Sequence, residues 1–299
     1  MKLGTQGLAF SALAWLTVLA CWWLPPVDVR TQLLLLSPLI LLLGVPHGAL
    51  DMVYVRQLAG LQSATAWGLF AVGYLMAAAA VVWLWWLAPG VFLAAFLLLS
   101  ALHFSGDLQD NAAAFIRLMY GCAVIVCPMA LHAAEVSQLF SLLAGAPAAQ
   151  SVVAVLQVTA WPLVLAIGLA AVVGARHNMA RSVELVSVAA VLTVAPPLVG
   201  FTIFFCGMHG ARHVLRTRDY SDAGTFRHLL RIALWPMLVT LGGATAGWWF
   251  SEGQPLDLRL MQLLFVGLAA LTVPHMLVVE PVRFSGWAKG RRTANAAAP

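Results

Sequence analysis

Charged side chains are scarce in this sequence: Asp, Glu, Lys and Arg make up 9% of its 299 residues, while 62% of the residues are hydrophobic. A water-soluble domain carries about 25% charged residues, so the composition excludes an ordinary soluble protein and predicts that lipid surrounds most of the chain. No polar stretch is long enough to fold by itself. The sequence therefore predicts one membrane-embedded domain, residues 1–299, with cytoplasmic tails at 1–6 and 284–299.

Cysteine is also sparse, with four copies in or beside apolar segments. They form no close-spaced metal-binding pair, and their positions argue against a disulfide framework. The net charge of +5 could indicate nucleic-acid binding, but the arginines border hydrophobic segments, where the positive-inside rule accounts for them. We therefore expect the lipid bilayer, and no nucleic acid, as a partner.

Long apolar runs make up most of the chain. Those with the length of a membrane span occupy residues 7–24, 32–47, 66–87, 89–105, 113–133, 150–174, 228–250 and 257–279. A further run, 183–216, contains Pro196 and Pro197. It predicts either one strongly kinked helix or two shorter segments that cross twice.

The distribution of positive charge favours the double crossing. If the N-terminus is cytoplasmic and 183–216 crosses twice, all of the 16 Lys and Arg residues lie on the cytoplasmic side except Arg30 and Arg259, as the positive-inside rule requires. We predict an all-α, polytopic integral membrane helical bundle of about 8–10 transmembrane segments. Its expected location is the bacterial cytoplasmic (inner) membrane, with both termini cytoplasmic.

Four histidines lie at the ends of apolar runs, where a polar side chain is costly unless it serves a site. His209 and His213 are spaced i, i+4, so both rings project from one face of a helix and can bind one ion. The predicted topology brings these two, His47, His103 and His275 to the same half of the membrane. We predict His47, His103, His209 and His213 as metal ligands and catalytic residues; the alternative is a set of interfacial histidines.

An aspartate follows His47 and His103 at the fourth position in each case. On a helical turn this spacing predicts that Asp51 and Asp107 accept the second N–H of those rings, although both could simply mark where helices meet water. His275 is predicted to line the site as a fifth ligand, as a hydrogen-bond donor or as a packing residue. Three tyrosines in or beside the apolar runs could line a pocket, but aromatic residues in membrane spans more often serve packing, which is the preferred interpretation of Tyr54, Tyr74 and Tyr120.

The donor set favours a redox metal. Four neutral imidazoles leave the ion its full charge, and an octahedral geometry leaves two positions open for oxygen and substrate. Structural zinc prefers a closed tetrahedral site, often with thiolates, so Fe²⁺ is the predicted cofactor and O₂ the predicted co-substrate. Because apolar side chains surround the site, the substrate is expected to be lipid-soluble.

The motifs also carry a family resemblance. Gly-Val-Pro-His47-Gly-Ala-Leu-Asp51, Ala-Leu-His103-Phe-x-x-Asp107, His209-Gly-Ala-Arg-His213 and Pro274-His275 together resemble the Brp/Blh family of bacterial and archaeal membrane proteins. These are carotene-cleaving oxygenases associated with microbial rhodopsin synthesis. The resemblance covers roughly residues 40 to 280. It implies iron- and O₂-dependent cleavage of the central 15,15′ double bond of β-carotene, or of a related carotenoid, to retinal. It also implies that the four predicted histidine ligands bind the iron, and it raises hand-off of the product to a rhodopsin.

Other function classes remain open on the sequence. A transporter or channel also places polar groups in membrane segments, but it predicts inverted repeats and helix breaks at the midplane. A histidine-box diiron lipid desaturase or hydroxylase needs several HxxxH and HxxHH boxes, whereas this chain has one HxxxH and no adjacent histidine pair. A bis-histidine haem protein is a further alternative.

Overall fold

The computed structural model describes residues 3–25, 27–108, 112–220 and 225–284, without the side chains of residues 45, 47, 57–59 and 282–284. Within these ranges the chain forms helices joined by short connections, with no strand. The α-helices are α1 (Leu3–Trp23), α2 (Val29–Leu39), α3 (Asp51–Ala59), α4 (Ala64–Leu87), α5 (Pro89–Phe104), α6 (Ala114–Val126), α7 (Met129–Ala144), α8 (Ala146–Ala175), α9 (Met179–Val194), α10 (Pro197–Thr202), α11 (Ala211–Tyr220), α12 (Phe226–Phe250) and α13 (Leu256–Phe284).

Much of this bundle has the length and hydropathy of membrane helices, which confirms the predicted all-α polytopic class. In the described part of the chain, seven helical runs are long and apolar enough to cross a membrane, and eight if the bent pair α6–α7 is one span. The ten-segment topology also requires α5 and α9, which have only 16 residues each, and it stays a prediction. The seven runs are Leu3–Trp23, Val29–Arg56, Ala64–Leu87, Ala146–Ala175, Pro197–Tyr220, Phe226–Phe250 and Leu256–Pro281.

One predicted span, 113–133, is not a continuous helix. The chain bends by 57° between α6 and α7, because Pro128 has no amide hydrogen to continue the helical hydrogen bonds. His132, in the first turn of α7, has non-helical angles of φ −124° and ψ 29°. Its Nε2 lies 3.1 Å from the carbonyl oxygen of Val194, which ties α7 to the end of α9.

The predicted interruption at Pro196 and Pro197 is confirmed. Helix α9 ends at Val194, and α10 begins at Pro197 after an extended Pro196 with ψ 143°. A Cβ at Gly200 would lie 3.1 Å from the carbonyl oxygen of Val191, although nine residues of straight helix would separate the two by about 13 Å. The chain therefore folds back at this point, and the missing side chain at Gly200 permits the close approach.

Regular α-helix is also interrupted where the histidine motifs occur. Residues Ile40–Gly44 and Ile203–Gly210 are π-helical, and Val45–Leu50 is a 3₁₀ helix. Such segments change the direction in which side chains leave the helix, and π-helical turns are frequent at functional sites. The two π-helical segments contact each other directly, since a Cβ at Gly44 would overlap the ring of Phe205.

Candidate active site

Four of the predicted site histidines, from three separate helical segments, come together. We call His103, His209, His213 and His275 the histidine cluster; all four side chains are buried. The Nε2 atoms of His103 and His209 are 3.2 Å apart. The ring of His275 lies 5.1 Å from that of His103 and 5.0 Å from that of His213, centroid to centroid. Residues more than a hundred positions apart in sequence thus share one site.

His47 completes the set that the sequence predicts as ligands. Its backbone lies in the 3₁₀ segment Val45–Leu50, but its side chain is outside the described residues. The neighbouring Gly48 and Ala49 line the same cavity as His275, so the backbone of His47 passes beside the cluster. Its role as a ligand stays a prediction.

Asp107 bonds to His209 rather than to the histidine four residues before it. Its Oδ2 lies 2.8 Å from Nδ1 of His209. The predicted pairing with His103 assumed a continuous helix, but α5 ends at Phe104 and the next three residues form turns, so Asp107 points towards another element. Nδ1 of His103 lies 3.6 Å from Oε1 of Glu280.

The environment of Asp107 favours its ionised form. Burial alone would raise the pKa of this carboxyl, but the interaction with His209 and the charges of Arg216 and Arg212 outweigh that effect, and the pKa lies below its usual range. An ionised Asp107 accepts the Nδ1–H of His209, so the lone pair of that ring lies on Nε2. That nitrogen is the one that faces His103.

Asp51 likewise binds a histidine from a distant part of the chain. Its Oδ1 lies 2.6 Å from Nδ1 of His275, and the hydroxyl of Tyr74 donates to its Oδ2 at 3.0 Å. The partner predicted for Asp51 was His47, whose side chain is outside the described residues. Tyr74 is therefore part of the site, which corrects its interpretation as a packing residue.

Hydroxyl groups hold the fourth ring of the cluster. Oγ1 of Thr217 lies 3.4 Å from Nδ1 of His213 and donates to the carbonyl oxygen of the same residue at 2.9 Å. The hydroxyl of Tyr54 lies 2.9 Å from the same Oγ1. In His209, His213 and His275 alike, the nitrogen beside an oxygen partner is Nδ1. For His209 and His275 that partner is a carboxylate, which selects the Nδ1–H form and leaves the lone pair on Nε2.

A buried ion pair, which the sequence analysis missed, supports the turn that carries Asp107. Arg212 forms a two-point contact with Glu184, at 2.8 Å for both bonds. It also donates to Oε1 of Gln6 at 3.0 and 3.1 Å and to the carbonyl oxygen of Asp107 at 2.7 Å. These bonds use all five guanidinium N–H groups. The available signal was Glu184, an acidic residue at the start of an apolar run.

The positive-inside rule placed Arg212 among the charges on the cytoplasmic side. Its side chain is 2% exposed, so its position follows from the buried pair with Glu184. The neighbouring Arg216 also bonds within the site region, to the carbonyl oxygens of Gly106 and Asp107 at 3.0 and 3.2 Å. Both arginines therefore hydrogen-bond to the backbone of the turn after α5 and help to hold it in place.

Two apolar cavities border the histidine cluster from different sides. The first, of about 360 Å³, is lined by Trp67, Phe70 and Tyr74 of α4 and reaches Asp51 and His275; we call it the Tyr74 cavity. The second, of about 100 Å³, is lined by Phe96 and Leu97 of α5 and reaches His103 and His209; we call it the Phe96 cavity. Three residues border both cavities: Phe205, Leu268 and Thr272.

Two imidazoles of the histidine cluster are spaced as two ligands of one metal ion would be. Two ligand nitrogens about 2.1 Å from one ion and at right angles lie about 3.0 Å apart, close to the 3.2 Å between Nε2 of His103 and Nε2 of His209. Buried carboxylates that hold the other ring nitrogen are typical of metal-binding histidines. Among the described side chains, no group of three or more His, Cys, Asp or Glu residues is placed to hold a metal ion; the side chain of His47 lies outside that set.

Comparison with known proteins places the chain in a family. The sequence profile described as beta-carotene 15,15'-dioxygenase matches residues 38–282. The chain belongs to the beta-carotene 15,15'-dioxygenase family. The matched range contains every residue of the histidine cluster as well as His47, Asp51 and Asp107.

A curated relative supports this membership. The beta-carotene 15,15'-dioxygenase of an uncultured marine bacterium, 66A03, is 28% identical over 265 residues, which cover 81% of this chain and 90% of the relative. No solved structure matches the chain. The family membership confirms the resemblance that the histidine motifs indicated.

Proposed function

We propose that this protein cleaves the central double bond of β-carotene, or of a related carotenoid, to retinal in an iron- and O₂-dependent reaction. One observation carries the proposal: in a member of the beta-carotene 15,15'-dioxygenase family, four imidazoles meet beside two apolar cavities. The arrangement supports a reaction of an apolar substrate beside a metal. It favours a carotenoid-cleaving enzyme over a transporter or a lipid desaturase.

Some residues of the site would hold the metal, and others would orient the rings that hold it. His103, His209 and His213, together with His47, would hold the metal. Asp107 would orient His209 through Nδ1, and Thr217 lies beside Nδ1 of His213. Asp51 binds Nδ1 of His275, whose ring contacts those of His103 and His213 and is a candidate for a further ligand. The chemistry that a bound ferrous ion would supply is activation of O₂. One oxygen atom goes to each carbon of the broken bond, so two aldehydes form without a protein acid or base.

The surroundings of the cluster support a lipid-soluble substrate. Leu75, Trp235 and Val239 line the Tyr74 cavity and are also 55%, 72% and 59% exposed. This cavity therefore opens between α4 and α12 on the apolar outer surface of the bundle. A carotenoid dissolved in a bilayer would enter here without crossing water, which fits a protein of the bacterial inner membrane.

The test is expression in a bacterium that makes β-carotene, with retinal measured by chromatography and iron measured in the purified protein. The wild type should convert the pigment to retinal. The variants His47→Ala, His103→Ala, His209→Ala and His213→Ala should each lose retinal formation and bound iron. His177→Ala, in the exposed turn after α8, is the matched control and should behave as wild type. Well-folded wild-type protein in the membrane without retinal would overturn the proposal.

A further inference from the structure

The Tyr74 cavity and the Phe96 cavity reach the histidine cluster from different sides. The Tyr74 cavity touches His275, and the Phe96 cavity touches His103 and His209. Of the lining residues, only Phe205, Leu268 and Thr272 border both. A ligand long enough to occupy both cavities therefore has to cross this shared wall beside the imidazoles.

The shared wall belongs to the same elements as the cluster. Leu268 and Thr272 are four residues apart and precede His275 by seven and three residues, so they lie on one face of α13. Phe205 lies in the π-helical segment that carries His209, and its ring stacks on that of His209 at 5.6 Å and 17°. The wall is thus in contact with the proposed metal ligands.

The position of Phe205 is fixed from both sides. The ring of Phe201 stacks on it at 5.2 Å and 13°. On another side the ring lies against Gly44, where a Cβ would overlap it. Phe205 is 5% exposed, and this buried aromatic ring forms part of the boundary between the two cavities.

We propose that the two cavities bind the two halves of one polyene, and that the wall of Phe205, Leu268 and Thr272 selects the bond that lies at the histidine cluster. This inference rests on the proposed function. Both cavities are lined almost wholly by apolar side chains away from the cluster, which suits a hydrocarbon chain at both ends. The imidazoles and the carboxylate that line the cavities lie where its middle would pass.

Binding without turnover tests the half-sites. Ala78→Trp fills the Tyr74 cavity, and Leu97→Trp fills the Phe96 cavity. Their matched controls are Ala79→Trp and Leu98→Trp, because these neighbours are exposed on the outside of the bundle and line neither cavity. Each protein is purified in detergent without oxygen, and the binding of β-carotene and of retinal is measured from visible and near-ultraviolet absorbance.

We expect each cavity variant to bind β-carotene at least tenfold more weakly, while both controls bind it as the wild type does. Retinal, which needs only one cavity, should still bind to at least one of the two cavity variants and should be lost in the double variant. β-Carotene binding that is unchanged in either cavity variant would overturn the inference. If a tryptophan variant fails to fold, Ala78→Leu or Leu97→Phe is used in its place. Unchanged β-carotene binding by that variant would likewise overturn the inference.

The wall is tested by the products. Phe205→Ala should increase the ratio of off-centre cleavage products to retinal at least fivefold, because the polyene can then slide past the cluster. Unchanged central cleavage would overturn the role of Phe205. These outcomes differ from a failure of the proposed function, in which the wild type binds β-carotene across both cavities and yet forms no retinal when oxygen is admitted.

Discussion

At the scale of single residues, the partners of the ring nitrogens determine what the histidine cluster can do. A neutral imidazole donates from one nitrogen and accepts or ligates through the other, so a carboxylate at Nδ1 selects Nε2 for the metal. Asp107 does this for His209, and Asp51 does it for His275. Each carboxylate binds a histidine on a different helical segment. The orientation of these rings therefore depends on how the segments pack against each other.

We predict that Asp107→Asn lowers the affinity for Fe²⁺ by about 10- to 100-fold, because the amide no longer selects the Nδ1–H form of His209. Chelator competition on purified protein measures this affinity. Asp219→Asn is the matched control, since Asp219 is a half-exposed partner of Arg218 outside the site. Equal iron affinity of the two variants would contradict the assigned role of Asp107.

The buried pair of Arg212 and Glu184 gives a second prediction at this scale. Arg212→Met should reduce the free energy of unfolding by about 3–5 kcal/mol, because it leaves the carboxylate of Glu184 buried without its partner. Adding Glu184→Leu should restore part of the loss by removing that charge. Arg218→Met, which breaks an exposed pair with Asp219, should cost at most about 1 kcal/mol.

Thermal unfolding midpoints in one detergent would rank these variants. The expected order is Arg218→Met as the most stable, then the Arg212→Met/Glu184→Leu double variant, then Arg212→Met. An Arg212→Met protein as stable as Arg218→Met would show that the buried pair adds no stability.

At the scale of the helices, a close backbone contact fixes the end of α5, which carries His103. A Cβ at Gly121 of α6 would overlap the carbonyl oxygen of Ala101 and lie 2.7 Å from the amide nitrogen of Ser105. Both atoms belong to the last turn of α5 and the residue after it, next to His103. A flexible side chain could move away from an added methyl group, but this backbone cannot.

Gly121→Ala should therefore destabilise the protein by about 1–3 kcal/mol and lower its iron content, because the end of α5 is displaced together with His103. The matched control is Gly168→Ala in α8, where an added Cβ meets no atom within 4 Å. Alanine there should be neutral or stabilise the helix by up to about 1 kcal/mol. Thermal unfolding and metal analysis of the two variants check the expectation, and a Gly121→Ala protein with normal iron content would contradict it.

At the scale of the whole molecule, the fold-back at Pro196 governs the topology. It sends α10 and α11 back along α9, so that His209 and His213 return to the cluster with His103 and His275. The distribution of Lys and Arg along the sequence favours the same double crossing. The fold-back and the charge distribution thus favour the same number of crossings, and the cytoplasmic location of both termini stays a prediction.

Accessibility of introduced cysteines tests this topology. With the native cysteines replaced, Gln62→Cys in the connection between α3 and α4 should react with a membrane-impermeant thiol reagent only after the cells are permeabilised. Gln254→Cys, between α12 and α13, should react in intact cells, because the predicted topology places it outside. Both side chains are exposed. Labelling of both positions in intact cells would overturn the predicted orientation.

Much of this organisation was predictable from the sequence, because lipid as solvent imposes simple requirements. Apolar runs locate most helices to within a few residues, as for α4 and α12, and paired prolines locate the break before α10. The sequence also located the histidines that gather, since polar groups at the ends of apolar runs are rare. Local rules failed at Pro128, where a predicted span bends by 57°.

What the tertiary structure alone decided is the pairing of these groups. Sequence spacing assigned Asp107 to His103, whereas the end of α5 turns Asp107 towards His209. Arg212 was expected among the charges on the cytoplasmic side, and it is buried against Glu184. Tyr74 was interpreted as a packing residue, and it donates to Asp51. Composition and periodicity determine which segments enter the membrane and where polar groups lie along them. Contacts between groups far apart in sequence depend on helix ends and crossings, which local patterns do not encode.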